Sequence, residues 1–76
     1  MPKEELVKLK HIKELYTDSI IHSKLMTFEG AIFKELLDKA IYAYESAEES
    51  HYGVSTFITL KEMHQLKTFI ERIKGE

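Results

Sequence analysis

Cysteine is absent from this chain, which excludes disulfides and thiolate metal sites as sources of stability. Glycine occurs only three times, so no glycine-rich phosphate loop can be built. Serines at 19, 23, 46, 50 and 55 do not sit in a nucleophile-elbow pattern. No run comes near the roughly 18 apolar residues of a membrane span. The amino terminus, Met-Pro-Lys-Glu-Glu, enters a charged segment without the apolar stretch of a signal peptide, and a cytoplasmic protein is expected. A cationic excess is also missing. The net charge of −2 divides into +2 over residues 1–13, −1 over 14–26, −4 over 27–50 and +1 over 51–76. The single arginine, Arg72, stands beside Glu71. Phosphate-dependent binders usually gather lysine and arginine on one surface, so nucleic acid is disfavoured as a partner.

What is present is apolar periodicity. Between Phe28 and Ala47, the residues Ile32, Phe33, Leu36, Leu37, Ala40, Ile41, Ala43, Tyr44 and Ala47 fill an arc of roughly 180° at a helical repeat. A surface helix needs an apolar stripe only a little over ~100° wide. This segment therefore has to be covered from two sides, by the segments before and after it or by a second chain. It defines a central helix over 27–49, with Thr27 as N-cap and Glu29 in its first turn. Gly30 lies inside that helix, where it permits close approach of a neighbour, or else forms the turn before it. Three acids, Glu45, Glu48 and Glu49, oppose the dipole at the far end, which is expected to fray.

Two further helices flank the centre. Pro2 suits a first turn and Glu4 and Glu5 complement the positive helix end. Leu6, Leu9, Ile12, Tyr16 and Ile20 then recur at three- and four-residue spacing, which predicts a helix over 3–24. Thr59 and Glu62 form a capping box, with Ile58 and Met63 at the positions of a hydrophobic staple. The helix that starts there runs over 59–74 with Met63, Leu66, Ile70 and Ile73 as its seam and Phe69 beside it. Residues 59–66 resemble the first helix of a helix-turn-helix, but no turn and recognition helix follow.

The expected architecture is a single all-α domain over 1–76, without a separate linker or tail, whose three helices use the middle one as a spine. A chain this short barely offsets its conformational entropy, yet its supply of large apolar residues is generous. A homodimeric bundle is expected to hide the surplus, with Leu15, Ile21, Leu66, Ile70 and Ile73 at the subunit interface.

The chemistry on offer is sparse. His11, Glu14, Asp18 and His22 fall on one side of the first helix, a type of column that binds metals, but opposite the apolar stripe and so facing water. Such a column is ordinarily a solvated face. No catalytic, cofactor or metal residue is assigned. Residues His51–Ile58 carry apolar side chains in a loop, with Gly53 as the expected helix breaker, and Tyr42 projects to the charged side of the central helix. Tyr42, Tyr52, Val54 and Phe57 are thus the candidate partner contacts. These features fit a non-catalytic regulator, inhibitor or accessory factor that binds another protein through its helix faces and the 51–58 loop. The alternatives are a dimeric DNA-binding regulator using Lys3, Lys8, Lys10 and Lys13 and, least favoured, a metal-binding protein using His11 and His22.

Overall fold

In the computed structural model, which describes residues 2–75, the chain forms four α-helices: α1 (Pro2–Leu15), α2 (Asp18–Lys24), α3 (Thr27–Ser50) and α4 (Leu60–Lys74). A single 3-10 turn, Val54–Thr56, lies between α3 and α4. No strand occurs among the described residues. None of these helices is long and apolar enough to cross a membrane.

The expected helix over 3–24 is two helices. Tyr16 and Thr17 leave the helical path, and Thr17, extended at φ −69° and ψ 164°, caps α2 by accepting the Ile20 N–H on its hydroxyl. Thr-Asp-Ser is a start signal in its own right, since threonine caps and Asp18 complements the dipole of the new helix. This two-residue break, extended at Thr17, also resets the helical phase. Ile20, the last member of the predicted stripe, is exposed, and its neighbour Ile21 is buried instead.

Helix α3 begins one residue earlier than Thr27 would cap it. Its N-cap is Met26, whose N–H donates to the Glu29 carboxylate at 3.2 Å. A Thr27 cap would put Gly30, which has no side chain, at the reciprocating third position. At the other end, α3 stays helical through Ser50 despite its acids. His51 stops it by taking a left-handed conformation, φ 66° and ψ 11°, with its N–H donated to the Ala47 carbonyl. Gly53, the expected breaker, has an ordinary φ of −68°.

All nine residues of the wide α3 arc are buried or half-buried. The covering comes from within the chain. Helix α1 runs antiparallel along one side of α3, shown by the ion pairs Lys13–Asp38 and Lys10–Glu45. Helix α4 runs antiparallel along the other, with Lys39–Glu62 near its start and Glu29–Arg72 near its end. The short α2 packs on both α3 and α4. Gly30 is where α2 comes closest, since a Cβ there would stand 3.0 Å from the Ile21 Cγ2. Phe33, fully buried, meets Phe69 edge to face at 6.3 Å in the middle of the core. In α4 the buried line is therefore Leu66, Phe69 and Ile73, while Met63 and Ile70 of the predicted seam are only half-buried.

The expected dimer residues divide accordingly. Ile21, Leu66 and Ile73 are 2, 1 and 3% exposed within one chain, so they have no surface to give a second one. Leu15 is 50% exposed and Ile70 half-buried.

Candidate partner-binding groove

The capping box at the start of α4 sets the register of everything after it. The Thr59 hydroxyl accepts the Glu62 N–H at 3.1 Å, and the Glu62 carboxylate accepts the Thr59 N–H at 3.0 Å. Ile58, just before the cap, is buried as the staple requires. Helix α4 consequently begins at Leu60, and the spacing of three, four and three places Leu60, Met63, Lys67 and Ile70 along one flank. That flank faces α1 rather than α3.

On α1 the matching flank is Glu5, Lys8 and Ile12, with Leu15 one turn further on. Both helices lie on the spine, and α2 covers α4 only over part of its length. Between them runs an open groove of about 450 Å³. Leu9 and Leu66, both buried, are among its lining, and Ile12, Met63 and Ile70 are half-buried beside them. Leu60 is 77% exposed, the most exposed of the large apolar residues described. A leucine kept in water at the mouth of an apolar groove is the kind of surface another protein covers.

Four titratable side chains border the groove: Glu5, Lys8, His64 and Lys67, all exposed. Lys8 meets Glu5 loosely at 3.5 Å on the same helix, and Lys67 makes no ion pair among the described residues. The strong ion pairs are elsewhere and join helices to each other. Glu62 is pulled down to about 2, first by Lys39 at 2.6 Å and then by the Thr59 backbone and hydroxyl. Arg72 and the Met26 N–H hold Glu29 below its ordinary value, and Lys34 does the same to Asp18. Each of these acids lies in the first turn of its helix and reaches a cation on another one.

A second hollow, about 240 Å³, lies where α1 breaks against α3. Lys13–Asp38 and Lys34–Asp18 close over it at 2.7 and 2.8 Å, so its charges are already engaged.

The four partner contacts expected from the sequence, Tyr42, Tyr52, Val54 and Phe57, do not line the groove, whereas the expected dimer residues Leu66 and Ile70 do. Val54 and Phe57 pack onto the core through the 3-10 turn, in which the Phe57 N–H donates to the Val54 carbonyl at 2.9 Å. The β-favouring pattern there does not become an extended edge. Tyr42 is exposed and meets Phe57 edge on at 6.1 Å, and Tyr52 stands in solvent. The Tyr42–Phe57 pair thus lies apart from the groove, beside the α3–α4 connection that also carries Tyr52 and Val54. The helix break between Glu14 and Asp18 divides the histidine column, and no cluster of three or more metal-ligating side chains occurs among the described residues. Of the four basic residues considered for DNA, Lys10 and Lys13 are engaged with α3. The seam read from the sequence, Met63, Leu66, Ile70 and Ile73, includes neither Leu60 nor Lys67. Their signal was the spacing from Leu60 to Ile70, which runs parallel to the buried line but one flank away.

No family model, curated protein or solved structure matches the chain.

Proposed function

We propose that this protein is a non-catalytic interaction module, a small regulator or accessory factor, which takes a helix of another protein into the groove between α1 and α4. The observation that carries this reading is Leu60, left in water beside Ile12, Met63 and Ile70 although the same chain buries Leu66 and Phe69 one flank away. Grooves of this kind receive amphipathic helices, whose anchors fall three to four residues apart. The Tyr42–Phe57 surface is secondary in this reading, because Phe57 is half spent on the core.

The test compares three forms of the chain as baits in extract from its own cells: the natural sequence, the double variant Leu60→Lys with Met63→Lys, and Tyr42→Ala with Tyr52→Ser. Circular dichroism first establishes that each is folded. A partner lost by the groove variant and kept by the tyrosine variant is the expected result. The opposite pattern would move the function to the 51–58 connection.

A second reading has two copies of the chain meeting over this groove. Leu15 and Ile70 favour it, since the two expected dimer residues that are not buried stand on its walls or just beyond.

A further inference from the structure

The groove has a length and a charge, and together they describe an occupant. From Leu60 to Ile70 the α4 wall rises about 15 Å, at about 1.5 Å per residue, which matches three turns of a docked helix. Its lining is apolar along the bottom and charged at both lips. Lys8 stands on the α1 lip, and Lys67 with His64 on the α4 lip. Against these there is one acid, Glu5.

The chain pairs its cations where they hold the fold together. Lys10, Lys13, Lys34, Lys39 and Arg72 each meet an acid on another helix at 3.1 Å or less. Lys8 has only its loose neighbour on the same helix, and Lys67 has none among the described residues. The two lips therefore present cations that the fold does not use.

Resting on the groove reading above, we infer that the partner is a foreign amphipathic helix of about three turns with acidic residues on both sides of its apolar stripe. Its stripe covers Leu60, Ile12, Met63 and Ile70, and its carboxylates meet Lys8 and Lys67. A second copy of the chain fits worse. A two-fold contact lays this patch on its own copy, so that two lysines and a histidine from each chain share the contact with a single glutamate apiece and like charge is in excess.

The test uses the intact chain and three synthetic peptides of about sixteen residues, long enough to cover three turns. All are helix-forming. The first has a leucine and isoleucine stripe at three- and four-residue spacing with glutamate flanks, the second has the same stripe with lysine flanks, and the third has glutamate flanks and serines in the stripe. Affinities are measured by fluorescence anisotropy at about 50 and about 300 mM salt, where screening differs strongly. Methyl chemical shifts of Ile12, Met63 and Ile70 report the place of binding.

The glutamate-flanked peptide is expected to bind roughly tenfold more tightly than the lysine-flanked one at low salt. The gap narrows at high salt, the groove methyls shift, and the serine peptide does not bind. Lys67→Glu, a change at an exposed position, is expected to reverse the preference. Equal affinities, or a preference for lysine flanks, with the groove methyls still shifting would overturn the acidic partner and leave the groove standing. A monomer by sedimentation whose groove methyls respond to no peptide would overturn both. A dimer whose groove methyls are covered would replace the foreign helix by a second copy.

Discussion

Lys39 reaches from α3 to Glu62, the acid that closes the α4 capping box, at 2.6 Å. One carboxylate thus starts a helix and fastens it to the spine. Its low pKa, about 2 against an ordinary 4.5, follows from that double duty. The folded state holds this carboxylate charged more readily than the unfolded chain does, so the contribution is complete above about pH 4.5 and drains away as the pH falls towards about 2. Asp18 and Glu29 shift in the same direction. Glu62→Gln, which keeps the shape and removes the charge, is expected to lower the melting temperature at pH 7 and to match the natural chain near pH 2. Melting curves over that range check it. A constant gap would mean that the charge is not the source.

His51 sits in the left-handed region, where a side chain costs about 1–2 kcal/mol that glycine does not incur. His51→Gly is expected to stabilise the protein by about 1 kcal/mol, as glycine is the natural helix stop. Gly53→Ala is expected to change little, because its φ is ordinary and an added Cβ would have only the Ser55 Oγ nearby, at 3.8 Å. Chemical denaturation of both variants distinguishes this arrangement from one in which Gly53 is the breaker.

Gly30 reverses the usual rule. Alanine is normally worth up to about 1 kcal/mol over glycine in a helix. Here the new Cβ would press on the Ile21 Cγ2 at 3.0 Å, and Ile21 is buried and stiff at its branched β-carbon. Gly30→Ala is therefore expected to give no gain, and Gly30→Val to lose about 2 kcal/mol through overpacking. A clear rise in stability for the alanine variant would show that α2 can move away freely.

Two large apolar residues test the difference between core and groove. Phe33→Ala removes a fully buried ring that packs on Phe69 and is expected to cost about 3–5 kcal/mol. Leu60→Lys is expected to stay within about 0.5 kcal/mol of the natural chain. Paired denaturant titrations decide it, and a large loss at Leu60 would assign that residue to folding rather than to binding.

The sequence made the spine, its two-sided covering and the α4 cap legible, because those depend on spacing along one helix. It was less informative wherever a local break changes the phase. Thr17 interrupts the first stripe, and Ile21 rather than Ile20 turns inward as a result. In α4, periodicity showed a band of apolar residues but could not choose its centre, and α3 selects Phe69 over Ile70 because Phe33 waits opposite. The surplus of apolar residues predicts a second subunit. Much of that surplus is buried within the chain, while Val7, Leu15, Met26, Phe28, Tyr42, Tyr52 and Leu60 stay exposed, and of these Leu60 borders the groove. Which flank two neighbouring helices leave open is decided by how both lie on a third, a relation that no single stretch of sequence contains.

The exposed connection His51-Tyr52-Gly53 is the chain's only covalent path from α3 to the turn and helix that complete the core. A cut at this bend would divide the molecule into a receptor, residues 1–52, and a short detachable strip that brings Ile58, Leu66, Phe69 and Ile73 to it. Mixing the two pieces should restore helicity in proportion to their concentration, which would make the protein a reporter that switches on when its halves are brought together.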